Sequence, residues 1–202
     1  MPQAVSIACE GFLDRVVLER LLAAHQIEVG SVYDMGGKRR LDDKLPGYVN
    51  AARFGPWIVQ RDLDNDAACA PDLVRRLVHN PPLDLCLIVA LRQVDAWLLA
   101  DRKAIAAHLR VAKTLVPEDP EALPDAKMAL VNLARRSRAR EVRRDMIPTV
   151  GSGRRIGGGY TARMQAFVQQ DWDFRQAARV APSLARLVAR MQRFHRIGAW
   201  HA

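Results

Sequence analysis

Residues 4–14, AVSIACEGFLD, decide how the rest of the chain is read. Residues 4–9 form a short apolar run that stops at Glu10 and Gly11. From Phe12 to Ala24, Leu13, Val16, Val17, Leu21 and Leu22 then recur at helical spacing. The order is strand, turn, helix, and it repeats downstream. Residues 27–33, 56–60 and 83–91 read as three further strands, and helical patterns over 67–78 and 93–109 follow the third and fourth. Strands alternating with helices imply right-handed crossovers. The expected fold is therefore α/β: an open, mainly parallel four-stranded sheet with helices on both faces.

Past residue 110 the pattern changes. Residues 111–124 carry three prolines and read as a connector, and no strand signal follows. Residues 125–145 are helical in pattern, 151–159 (GSGRRIGGG) form a loop, and 161–169 and 182–195 read as two more helices. The organisation expected is an α/β domain over 1–110 and an arginine-rich helical extension over 111–202.

With 202 residues, half of them apolar and 26% charged, the composition excludes disordered and collagen-like classes. The longest apolar run, LCLIVAL at 85–91, is far shorter than the roughly 20 residues of a membrane span. No membrane partner is expected. The N-terminus shows no basic start before a hydrophobic stretch, and Cys9, Cys69 and Cys86 form no metal or disulfide pattern, so a cytoplasmic location is expected. The net charge of +9 is unevenly spread: residues 1–129 sum to −2, and 130–202 sum to +11 with 15 arginines against four acids. Carboxylate chemistry beside a polyanion-binding surface fits that asymmetry, as does a solubilising helical face.

In a parallel sheet, function gathers at the carboxyl ends of the strands. The first strand ends on Glu10, and the third runs into Arg61-Asp62-Leu63-Asp64-Asn65-Asp66. If that stretch stays extended, Asp62 and Asp64 point the same way and can share one cation with Glu10. Hard carboxylate oxygens favour magnesium, or manganese in its place. The spacing after Asp62 is not that of an EF-hand, since Ala67 and Leu73 replace its glycine and glutamate. The glycine loop lacks the ending of a Walker motif, and it reads either as a flexible turn or as a phosphate clamp through Arg154 and Arg155. Arg61 reads as an ion-pair partner of the nearby aspartates or as a stabiliser of phosphoryl charge. Lys38, Arg39 and Arg40, beside Gly36-Gly37, read as a backbone grip or as a solvated loop. The five histidines lack metal-ligand spacing. Trp57 and Trp97 read as core, while Trp172 and Trp200 read as packing residues or as base-stacking ones.

These residues carry a resemblance. Glu10-Gly11 and Asp14 in EGFLD, the Gly36-Gly37 loop after the second strand, and Asp62-Leu63-Asp64 after the third resemble the Toprim domain of topoisomerases, primases and OLD-type nucleases. The likeness covers about half the chain. ALRQVDAWLLAD at 90–101, the later arginines and GSGRR further resemble a bacterial Toprim-like group, the domain-of-unknown-function family four-two-seven-six.

The resemblance implies a magnesium-dependent phosphodiesterase. Glu10 would serve as acid or base, Asp62 and Asp64 would hold the metal, and Asp66 or Asp95 would help with a second ion. Lys38, Arg39, Arg40, Arg135, Arg136, Arg154 and Arg155 would bind DNA or RNA. No tyrosine stands in a context that marks a topoisomerase nucleophile, and no polymerising or zinc module for a primase is visible, which leaves nuclease-like chemistry. The alternatives are a non-catalytic module working with an ABC-type ATPase partner in defence against phage, or an RNA-processing factor.

Overall fold

The structure is a computed structural model that describes residues 3–200; Met1-Pro2 at the start and His201-Ala202 at the end lie outside them. Among the described residues, β1 (Val5–Cys9), β2 (Val29–Asp34), β3 (Trp57–Asp62) and β4 (Leu85–Ala90) form one sheet in the order β2-β1-β3-β4. Each neighbouring pair is parallel. The sheet expected from the sequence is present, and it is parallel throughout.

The chain divides into two compact units, Met1–Leu91 with Ser183–Ala202, and Arg92–Pro182. The division differs from one at residue 110 in two respects: residues 92–110 belong to the helical unit, and the chain from Ser183 onward belongs with the sheet.

In the sheet unit, α1 (Phe12–Ala24) has the bounds its periodicity implies and packs on β1 and β2. Strand β4 (LCLIVA) is buried along its whole length, as expected for a strand of a covered parallel sheet. Helix α2 (Lys38–Ala51) is not evident from the sequence, because Pro46 and Gly47 interrupt it and its mean character is polar. Its apolar stripe is Leu41, Leu45 and Tyr48, which pack with Ala8, Val59 and Leu87 on one sheet face. Helix α3 (Ala70–Leu77) continues that face, with Leu73 and Ala70 against Val89. Each fully buried Leu in this core contributes about 1.5–3 kcal/mol relative to exposure, so a charge at Leu41 would break the layer.

The second unit is helical. The helix read over 93–109 is two, α4 (Val94–Ala100) and α5 (Arg102–His108), because Asp101 stops the first and caps the second by accepting the Ala104 N–H at 3.1 Å. The helix read over 125–145 is likewise split into α6 (Ala126–Arg135) and α7 (Arg140–Met146), with Ser137 Oγ accepting the Ala139 N–H in the break. Two 3-10 turns occupy the proline-rich connector. Helices α8 (Tyr160–Gln170) and α9 (Phe174–Ala178) complete this unit, the latter without a sequence signal that sets it apart. Trp97 and Trp172 are buried and joined by a Trp172 Nε1–H bond to the Trp97 carbonyl at 3.3 Å, so Trp172 is a packing residue.

Helix α10 (Pro182–Ile197) returns to the sheet unit. It buries Leu184, Leu187, Val188, Met191 and Phe194 along one stripe, and Phe194 stacks on buried Trp200 at 4.2 Å between ring centroids. Arg190 reaches Cys86 Sγ and the Leu87 carbonyl, which places α10 alongside β4. Among the described residues, no helix is long and apolar enough to cross a membrane.

Candidate carboxylate site at the strand ends

Parallel pairing puts the ends of β1 and β3 side by side, with Cys9 opposite Gln60. Glu10 therefore arrives beside the last residues of β3, and its Oε1 accepts the Asp62 backbone N–H at 2.8 Å. Burial pushes the Glu10 carboxyl above the usual carboxylate range, against the lowering pull of that hydrogen bond and of Arg61. The first and third strands thus meet through the glutamate the sequence singles out.

The turn after β3 is not the extended stretch expected. The strand ends at Asp62, and Asp64 adopts a left-handed backbone with φ of 46°, a region that Asp tolerates better than most residues. Alternation therefore does not set Asp62 and Asp64 on one side. Gln60 Nε2 donates to Asp62 Oδ1 at 3.1 Å, whereas Asp64 Oδ2 accepts from Lys38 Nζ at 2.9 Å.

Lys38 is the first residue of α2, so the basic trio expected in a loop is the first turn of a helix whose N-cap is Gly37. Its ammonium also lies 2.9 Å from Asp66 Oδ2 and 3.1 Å from Asp66 Oδ1, bridging the two aspartates. Arg39 and Arg40 are exposed.

Behind this pair, Arg61 is 4% exposed and held on three sides. Its Nε and Nη2 donate to the two carboxylate oxygens of Asp42 at 3.1 and 2.9 Å, and its Nη1 donates to Asp66 Oδ2 at 2.7 Å and to the Asp62 carbonyl at 2.5 Å. Burial alone would lower the Arg61 pKa, but these carboxylates hold the guanidinium firmly protonated. Burial would raise the Asp66 pKa, yet the hydrogen bonds from Lys38 and Arg61 hold it below its usual range. Asp42 and Gln60 carry no motif. Asp42 could have been found from its position one helical turn after Lys38, and Gln60 from its being a polar residue inside an apolar strand.

Glu10, Asp62, Asp64 and Asp66 thus share one end of the sheet. Their oxygens are of the kind a hard divalent ion takes. As arranged, however, the Lys38 ammonium and the Arg61 guanidinium are shared as ion-pair partners among Asp64, Asp66 and Asp42. Among the described residues, no three His, Cys, Asp or Glu side chains are grouped closely enough to hold a metal ion.

Asp95 belongs to the helical unit, where it is 1% exposed. Tyr160 donates its hydroxyl to Asp95 Oδ1, and Lys127 Nζ lies 3.6 Å from Oδ2. Burial pushes the Asp95 carboxyl up despite Lys127. Its surroundings are those of an internal polar anchor for α4, α6 and α8.

The glycine loop leads into the same unit. Gly157 and Gly159 pack against the end of α7, where an added Cβ would fall 2.3 Å from the Asp145 carbonyl oxygen and 2.7 Å from Asp145 Cβ. Two glycines of the loop are therefore required for close packing. Arg154 is exposed, and Arg155, also exposed, pairs with Asp125. Arg135 and Arg136, at the end of α6, are exposed as well.

The chain matches no protein-family model, no curated protein and no solved structure.

Proposed function

We propose that the chain is a cytoplasmic, magnesium- or manganese-dependent phosphodiesterase acting on DNA or RNA, with Glu10, Asp62 and Asp64 as its catalytic carboxylates. The observation that carries this reading is the hydrogen bond from the Asp62 N–H to Glu10, which joins the two acid motifs at the carboxyl ends of adjacent parallel strands. A divalent ion would be held there only once Lys38 gives way and the carboxylates close up, and it would then supply an activated water and neutralise phosphoryl charge.

The residues themselves divide the remaining work. Glu10, whose carboxyl burial pushes above the usual carboxylate range, is suited to accept or return a proton. Lys38 sits where a cation already bridges Asp64 and Asp66, and it is the group that would have to give way to an ion and turn toward a phosphate. Arg61, fixed by Asp42 and Asp66, keeps the turn in place. Arg39 and Arg40 at the exposed start of α2, with Arg135, Arg136, Arg154 and Arg155, would contact the nucleic-acid backbone.

A second reading draws on the ion pairing of Asp64 and Asp66 with Lys38 and Arg61. A carboxylate cluster satisfied by the chain's own cations suits a non-catalytic module, one whose partner, an ABC-type ATPase in phage defence, holds the activity.

The deciding experiment is cleavage of single- and double-stranded DNA and RNA with magnesium or manganese, comparing wild type with Glu10→Ala, Asp62→Asn and Asp64→Asn. The nuclease reading expects activity to fall by orders of magnitude in folded variants. Wild-type protein that cleaves none of the four substrates, or variants that cleave as well as wild type, would leave the module reading.

A further inference from the structure

Strand β4 is an edge of the sheet, paired only with β3. In a parallel strand, the N–H and C=O of one residue face one neighbour and those of the next residue face the other. The Asp84 carbonyl accepts from Trp57 and the Ala90 carbonyl from Leu63, so the even-numbered residues of β4 face β3. Leu87, Val89 and Leu91 therefore turn their backbone groups outward.

Two of those outward groups have side-chain partners from α10. Arg190 Nη1 donates to the Leu87 carbonyl at 3.1 Å, and Ser183 Oγ accepts the Leu91 N–H at 3.4 Å. Between these two points the edge runs into a cleft of about 580 Å³. Its lining includes Leu87, Ile88 and Val89 together. Successive strand residues point to opposite faces, so an opening that meets all three lies along the strand's edge. Val74 of α3 and Leu91 add apolar wall, while Arg75, Arg186 and Arg190 stand around it. Arg186 and Arg75 are exposed.

We propose that this cleft is a docking site for an extended acidic segment of a partner protein, which adds to the sheet beside β4. Three features select that occupant. The Val89 N–H and C=O offer main-chain pairing, which an extended peptide satisfies and a helix does not. The apolar walls accept alternate side chains of such a strand. The arginines favour carboxylates on the intervening positions, and Arg190, while bound to the Leu87 carbonyl, keeps further N–H donors for one of them. With the Leu87 carbonyl and the Leu91 N–H taken by α10, main-chain pairing is centred on Val89, and the rest of the segment lies along the apolar walls and the arginines. This surface is separate from the carboxylates at the strand ends and does not depend on what they do.

The test uses the full chain and fluorescein-labelled peptides of eight residues that alternate valine with glutamate. Fluorescence anisotropy should show saturable binding that weakens at least about tenfold when lysine replaces glutamate. The Arg75→Glu/Arg186→Glu variant, changed at two exposed positions, should lose a similar factor. Of two peptides N-methylated on alternate sets of residues, one should lose binding, and the Val89 amide should gain hydrogen-exchange protection in the complex. Equal binding by both N-methylated forms, equal binding of the lysine peptide, or binding of dodecanoate without binding of any peptide would each overturn the proposal.

Discussion

Glu10 at the end of β1 holds the end of β3 by accepting the backbone N–H of Asp62 at 2.8 Å. One side chain thus serves both as the candidate acid and as a clamp between strands, and the two roles are separable. Glu10→Gln keeps an acceptor oxygen, whereas Glu10→Ala removes it. Urea denaturation should show Glu10→Ala destabilised by about 1–3 kcal/mol and Glu10→Gln by less. If cleavage is found, both variants should lose it. A Glu10→Gln variant with wild-type turnover would assign Glu10 to the clamp alone.

Lys38 bridges Asp64 and Asp66 and so competes with any divalent ion for them. Lys38→Met removes the competing charge while keeping the length of the stem. Titration calorimetry should then show manganese binding more tightly than to wild type, by about tenfold or more. Weaker or unchanged manganese binding would mean that the aspartates do not serve as ligands.

Asp145 is held below its usual pKa by the hydrogen bond from Arg163 and by Arg144. A carboxylate whose folded pKa is depressed stabilises the fold above its unfolded value, near 3.8, and loses that contribution as pH falls through the lower folded value. Asp145→Asn should therefore lower the melting temperature at pH 7. Below about pH 4 its melting temperature should converge on that of wild type. Parallel curves for the two proteins down to about pH 2 would contradict this.

Tyr160 and Asp95 are both buried, and the tyrosine hydroxyl is a donor to that carboxyl. Tyr160→Phe leaves the packing and removes the bond, so unfolding should become easier by about 1–3 kcal/mol. Gly159→Ala should cost at least as much, since its Cβ would meet Asp145 Cβ at 2.7 Å between two packed segments. A neutral Gly159→Ala would mean that the loop is free to move away from α7.

Should nucleic acid bind, Arg154 and Arg155 should act by releasing counterions. Every phosphate that a protein neutralises on duplex DNA steepens the fall of log K with log salt by roughly 0.9. The Arg154→Ala/Arg155→Ala variant should therefore show a slope flatter by about one to two, with binding weakened alike on different sequences. An unchanged slope would leave these two arginines as solvated charges, one of them paired with Asp125.

The sheet is legible because its strands are short apolar runs and because Leu13, Val16, Val17 and Leu21 mark α1 without interruption. Helix α2 is hidden by Pro46-Gly47, a pair that signals a turn, and packing of Leu41, Leu45 and Tyr48 on the sheet overrides that local signal. The acid residues at the strand ends can be placed from topology. The direction of Asp64 cannot, because it rests on a left-handed backbone that non-glycine residues adopt under tertiary constraint. Lys38 reads as a grip on a backbone rather than as an internal cation, since the charge it meets lies 26 residues further along the chain. The resemblance offers Asp95 as a further ligand, and the partners it has here, Tyr160 and Lys127, come from segments that spacing does not connect to it.

The hydrogen bonds from α10 to the outward backbone groups of Leu87 and Leu91 come from Arg190 and Ser183, about a hundred residues after the strand edge they meet. On the ribosome β4 emerges long before its cover. At roughly 5–20 residues per second, the 91 residues of the intervening unit, Arg92–Pro182, take on the order of 5–20 s to be made. For that interval the nascent sheet carries an unguarded edge of aliphatic backbone, the kind of surface on which chains aggregate. A chain cut short before Ser183 would leave the Leu87 carbonyl and the Leu91 N–H bare along with the Val89 pair, so the order of synthesis makes the last helix the element that narrows an open edge to a single window.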